Sequence, residues 1–155
     1  MRKSSLKLED LPSKVTTWCD DLGLKVNARF EPSGDEELFP NRLVLEGEGA
    51  SVLGANRGAA LDALQYLLHE AQGERDEDKL CYLDAQGMRL FRMKELKAMA
   101  HHAAIKAREI GAYSFSSLSP RERRWIHLTI ARSPDLSTES EGLGTHKILK
   151  VLRKG

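Results

Sequence analysis

Residues 119–130 read SPRERRWIHLTI, a stretch that opens like a helix and then loads its first turns with cations. Ser119 has the side chain of an N-cap, Pro120 suits the first helical position, and Glu122, three residues past the cap, completes a capping box. A helix start carries partial positive charge and favours acids, yet Arg121, Arg123 and Arg124 stand there. At about 100° per residue, Arg123 and His127 project from one side, one turn apart, and Arg124 lies about 60° beyond His127 on the same flank. Trp125, Ile126, Leu128 and Ile130 fill the rest of the circumference, so that side is the packed one. A phosphate over the open side would meet forked arginine donors, a histidine able to donate to phosphate or stack on a base, and the N–H groups of the first turn. The other reading makes His127 a structural histidine hydrogen-bonded under a sheet, with Arg123 ion-paired to Glu122 or Glu139. The residues of the helix alone leave both open.

Working outward, 155 residues suffice for one ordinary domain or two small ones. With 41% hydrophobic and 30% charged residues the composition is that of a soluble globular protein, and its apolar runs are too short to span a bilayer. The start, MRKSSLKLED, has no apolar stretch behind its basic residues, so it does not read as a secretory signal. Cys19 and Cys81 lack any CxxC spacing and read as reduced thiols of a cytosolic protein. The net charge of +1 hides an asymmetry. Residues 1–88 hold 10 Lys/Arg against 17 Asp/Glu, whereas residues 89–155 hold 14 against 6. That imbalance predicts two modules, the second facing an anionic partner.

Along the chain, residues 1–12 read as a frayed polar start. SKVTTWCDDLG places Val15, Trp18, Cys19 and Leu22 at helical spacing between Ser13 and Gly23. LKVNARF alternates as a half-buried strand, EPSGDEELFPN is a turn-rich link, and RLVLEG is a second strand. ASVLGANRG is short and glycine-bounded, and AALDALQYLLHEAQ follows as an amphipathic helix with Leu61, Leu64, Leu67 and Leu68 on one face. GERDEDK reads as a solvated loop and KLCYLDAQG as a third strand and turn. A long helix over about 92–110 sets Leu96, Ala100, Ala103, Ala104 and Ala107 in line for close packing. AYSF is a short strand, the opening helix ends near Pro134, DLSTESEGLGTH reads as a turn-rich loop, and KILKVL is the final strand. Charge and pattern both change near residues 86–92.

From about residue 14 onward these strings, in this order, resemble a known arrangement. The first half, with RGAALDALQYLL and LDAQGMRLFRMKEL, resembles a KH domain of the type that sets an extra helix and strand before its core. The second half, with the alanine-rich helix, ERRWIH and TESEG, resembles an R-three-H domain, named for an Arg and a His separated by three residues, here Arg123 and His127. The pair of domains resembles the bacterial Jag family, cytosolic RNA-binding proteins linked to cell-envelope and division control. The resemblance implies an α+β fold of two small domains. A KH-like α/β sandwich would occupy residues 14–90 and an R-three-H domain, helices packed on a small sheet, residues 91–155. A flexible N-terminus would cover residues 1–13, without the further N-terminal domain and linker that Jag proteins usually carry. At the Gly-x-x-Gly loop of KH domains stand Ala55, Asn56, Arg57 and Gly58, with a glycine displaced to Gly54. No proline follows the SEG turn, and Lys147 stands where the family tends to have Arg.

On this resemblance and the residue chemistry, the expected nucleic-acid contacts are Arg121, Arg123, Arg124, His127 and Lys147, extended by Lys150, together with Asn56, Arg57 and Gly58. The alternative at Asn56–Gly58 is a plain helix-start turn with no ligand, and a methyl at Ala55 either narrows the approach or is forced to positive φ. The leading expectation is a non-catalytic cytoplasmic binder of single-stranded RNA, with single-stranded DNA also open and no cofactor. A second is a protein-interaction adaptor whose acidic half docks another KH protein or a second copy. A nuclease using His127 as general base is the third, and the sequence supplies no second acid, nucleophile or metal carboxylates for it. His101 and His102 point about 100° apart, unlike the i, i+4 pair of a helical zinc site. Tyr113 and Phe115 are a stacking platform or core. Tyr66 is core or interface, Arg89 and Arg92 brace Asp84 or touch RNA, the brace being favoured, and Ser and Thr residues in 133–140 are candidates for phosphorylation.

Overall fold

The computed structural model of the chain describes residues 6–155. Among them are four α-helices and two three-stranded sheets, an α+β fold, and the chain divides between Leu90 and Phe91 into two compact units.

In the first unit, α1 (Leu11–Asp21) begins earlier than its sequence suggests. Pro12 sits in the first turn, and Leu11, Val15 and Cys19, four residues apart, are all fully buried. Residues 11–13, expected in a flexible N-terminus, are therefore the first turn of α1, preceded by a short 3₁₀ turn over Leu8–Asp10. Of the other two expected stripe members, Trp18 is partly buried against the core and Leu22 is 68% exposed because the helix has already ended. Strand β1 (Asn27–Phe30) runs antiparallel to β2 (Arg42–Glu46), and β2 runs parallel to β3 (Tyr82–Ala85). Parallel neighbours need a crossover, and α2 (Glu48–Gln72) supplies it. The segment ASVLGANRG, expected to be short and irregular, is the first part of α2 and buries Ala50 and Leu53. The helix then breaks over Ala55–Gly58 and resumes, burying Leu61, Leu64 and Leu68 while Leu67 faces outward. These leucines close one core with α1 and the strands, in which both cysteines lie buried and free.

The carboxylate of Asp84, fully buried, organises the end of this unit. It accepts from Arg42 Nε at 2.8 Å and from the backbone N–H groups of Arg89 and Leu90 at 2.8 and 3.2 Å. It thereby caps the first turn of α3 (Met88–Ile110) and neutralises a buried guanidinium.

In the second unit β4 (Ala112–Phe115), β6 (Ile148–Arg153) and β5 (Leu136–Glu141) form an antiparallel sheet in the order β4-β6-β5. The expected alanine face of α3 is real: Leu96, Ala100, Ala103, Ala104 and Ala107 are all buried. Half of the segment expected as a turn-rich loop after Pro134 is strand β5, paired with β6 along the whole strand. Ser and Glu are poor strand formers, and here the pairing offered by β6 decides the conformation rather than intrinsic preference. Leu136 is buried, so alternation turns Thr138 and Ser140 to the same side of the sheet, and helix α4 (Pro120–Ala131) packs on β5.

Candidate nucleic-acid interface

Helix α4 starts as its sequence requires. Ser119 is extended (φ −69°, ψ 162°), and its Oγ accepts the Glu122 N–H at 3.2 Å. The reciprocal half of the capping box is diverted, because the Glu122 carboxylate instead takes Arg92 Nη2 and Nε at 3.3 and 3.4 Å. Trp125, Ile126 and Ile130 are buried, Leu128 lies at the rim, and the three arginines are half-buried through their stems. His127 is exposed. Arg92, expected to brace Asp84, thus serves α4 instead.

Each member of the Arg123–His127 pair is held by one of its edges. Arg123 Nη1 donates to the Leu118 carbonyl at 2.7 Å, closing the loop that enters the helix, and not to Glu122 or Glu139. His127 Nδ1 is hydrogen-bonded to Thr138 Oγ1 on β5. A guanidinium has five N–H donors in a planar fork, so one bond to Leu118 leaves its remaining edge able to bind an anion. Thr138 is a site residue that sequence reasoning misses; the alternation from Leu136 is the available signal, hidden as long as the segment reads as a loop.

Lys147 lies exposed just before β6, and strand alternation puts it on the same side as buried Leu149 and Val151, which is the α4 side. Its position depends on Gly142 (φ +101°), where an added Cβ would lie only 2.6 Å from the His146 carbonyl oxygen. Lys150, expected to extend the same track, points to the opposite side and pairs with Glu141 at 2.9 Å. Tyr113 and Phe115 do not form an open platform. Phe115 is buried, and Tyr113 sits edge-on between Phe115 and His102 with ring centroids 5.2 and 5.7 Å away.

In the first unit the break in α2 has an unusual backbone. Ala55 is extended (φ −63°, ψ 159°), so its methyl carries no strain. The strain falls on Asn56 (φ 52°), Arg57 (φ 59°) and Gly58 (φ 78°), three successive left-handed residues of which only glycine is free of a Cβ penalty. Asn56 and Arg57 are exposed and Gly58 is buried. A Cβ on Gly58 would sit 3.6 Å from Arg89 Nη2. That guanidinium donates to Gln65 Oε1 at 2.9 Å, to the Leu83 carbonyl at 3.1 Å and to the Asp62 carboxylate. Arg89 is therefore a brace, as expected: its side chain ties α2 to β3, and its backbone N–H donates to Asp84. Tyr66, expected in the core or an interface, is 66% exposed beside outward-facing Leu67 on the resumed helix. Among the described residues no group of three or more His, Cys, Asp or Glu is placed to hold a metal ion.

Compared with known proteins, residues 94–153 match the family model of the R-three-H domain, which covers nearly all of the second unit. The chain is also 30% identical over 100 residues to "RNA-binding protein KhpB" of Clostridium symbiosum, a match spanning 63% of this chain and 45% of that protein. The match thus takes in less than half the length of that relative. By these matches the chain is similar to KhpB and, over its second unit, to R-three-H domains.

Proposed function

We propose that the chain is a non-catalytic protein that binds single-stranded RNA through the open side of α4, with Arg123 and His127 as the central contacts. Arg121, Arg124 and Lys147 extend the surface in this reading. One observation carries it: Arg123 and His127 are each fixed by a single edge, to Leu118 and Thr138, so donors are held in place on a solvent-facing surface before any ligand arrives. Preorganised donors of this kind suit phosphate, and ordering them in advance lowers the entropic cost of binding. A phosphodiester bound there neutralises positive charge on both the side chains and the helix terminus. The R-three-H match and the name of the KhpB relative, an RNA-binding protein, support the same reading. So does the excess of Lys and Arg beyond residue 88. A cytoplasmic regulator acting after transcription, or in envelope and division control, fits that relationship. No helix among the described residues is long and apolar enough to cross a membrane.

The first unit fits a KH-like role on its element order, a helix and strand ahead of a strand–broken helix–strand crossover, with Asn56, Arg57 and Gly58 at the break. A second role for this unit is favoured by one observation: Tyr66 and Leu67 stand exposed on the outer side of α2, an apolar surface suited to another KH-like protein or a second copy.

The test is fluorescence anisotropy with labelled mixed-sequence single-stranded RNA over a salt series, comparing wild type with Arg123→Ala/His127→Ala. Wild type should weaken steeply with salt. The double variant should lose about tenfold or more in affinity, with a log–log salt slope shallower by about 0.7 for each phosphate contact removed. Equal binding by a well-folded double variant removes the α4 assignment. A labelled single-stranded DNA of the same sequence shows whether the 2′-OH matters.

A further inference from the structure

The hydrogen bond between His127 and Thr138 determines what His127 can offer a ligand. Thr138 belongs to β5, where Val151 of β6 is its register partner, and its branched side chain is stiff at χ1. It meets the imidazole at Nδ1. Ring geometry then turns the other nitrogen, Nε2, away from the strand, on a residue that is itself exposed.

What matters is that the partner at Nδ1 is a hydroxyl. A carbonyl or carboxylate can only accept, so against a neutral imidazole it would hold the proton on Nδ1 and leave a lone pair on Nε2, which repels phosphate oxygen. A hydroxyl both donates and accepts. Toward a neutral ring it can donate to the Nδ1 lone pair, and with the bond in that direction the ring proton resides on Nε2. Toward an imidazolium it rotates and accepts from Nδ1–H, and Nε2 still carries a proton. Building on the α4 reading above, we infer that Thr138 is a positioning residue that keeps the outward nitrogen of His127 a hydrogen-bond donor in both protonation states. His127 then needs no positive charge to donate to a phosphate oxygen.

Two measurements on the intact chain test this separately from the reading it builds on. The first needs no RNA: long-range ¹H–¹⁵N NMR of the free protein under alkaline conditions, with the imidazole neutral. The proton should lie on Nε2, with Nδ1 shifted as a hydrogen-bond acceptor, and Thr138→Val should abolish that Nδ1 shift. A proton on Nδ1 in the wild type overturns the inference. The second is a double-mutant cycle read by anisotropy with the same labelled RNA. Thr138→Val should weaken binding about fivefold, the worth of one modest hydrogen bond, and should cost nothing further when His127 is already Ala. Thr138→Ser, which keeps the hydroxyl, should bind within about twofold of wild type. An equal loss from Thr138→Val in both backgrounds means that Thr138 acts on the strand and not through His127, and overturns the inference. If wild-type protein binds no RNA, the α4 reading fails, and the tautomer measurement alone decides the role of Thr138.

Discussion

The break in α2 and the open side of α4, the two surfaces proposed above to meet nucleic acid, are built from different materials. At the break the backbone itself is shaped: three residues in a row are left-handed, and beneath Gly58 a nearly buried arginine is tied to Asp62, Gln65 and Leu83. On α4 the backbone is an ordinary capped helix, and side chains on its solvent face are fixed at one edge each. The difference is one of coupling. Gly58 and the Arg89 beneath it also belong to the packed interior, so altering them trades against folding. Residues on the face of α4 can change with little effect on stability, since the helix keeps its cap and its buried side without them.

The largest expected effect lies in the first unit. Asp84→Ala takes from the buried Arg42 guanidinium its nearer carboxylate, leaving Glu31 at 3.4 Å, and uncaps α3, and should destabilise that unit by about 3 kcal/mol. Thiol labelling in denaturant reads this selectively, because both cysteines lie in this unit and burial pushes the Cys81 thiol up to about 12. Native Cys81 should stay unreactive at neutral pH, and in the variant it should label at much lower denaturant. Gly58→Ala comes next. It forces a Cβ at φ 78° and should cost roughly 1–2 kcal/mol in the same assay. A variant as stable as wild type would show that the break is pliable and not a fixed shape.

On the α4 side, Arg123→Ala/His127→Ala should move the unfolding free energy by less than about 1 kcal/mol while lowering RNA affinity about tenfold. Comparable losses of stability and affinity would erase the contrast between the two regions. The smallest effect separates two lysines of one strand region. Lys147→Ala should flatten the salt dependence of RNA binding by about 0.7 in log–log slope. Lys150→Ala, which breaks a pair on the other side of the sheet, should leave it unchanged.

These contrasts also govern what the sequence discloses. Helix α4 is legible because its signals are local: cap, proline and the Arg–His spacing lie within a few turns of chain. The alanine face of α3 is legible by the same periodicity. The hold on Arg89 is not, since Asp62, Gln65 and Leu83 come together only once α2 has crossed over to β3. Ala55 stands out in the sequence as the departure from a Gly-x-x-Gly loop, yet it is the one residue of the break with ordinary dihedrals. The positive φ angles fall on Asn56 and Arg57, and of these only Asn commonly adopts them. Lys150 lies near Lys147 in the chain but not on its side of the sheet, because a strand alternates and charge alone carries no facing. Thr138 is hidden along with its strand, whose Ser and Glu residues have little strand preference.

That polar strand has a consequence of another kind. β5 lies at an edge of its sheet, with a row of backbone donors and acceptors that could template an additional strand. Its outer residues, Glu139, Ser140 and Glu141, are exposed, and a strand laid alongside would have to pair against two carboxylates. The composition that disguises β5 as a loop also makes it a poor seed for aggregation, so replacing those glutamates with valine would make the strand easier to recognise and the protein harder to keep in solution.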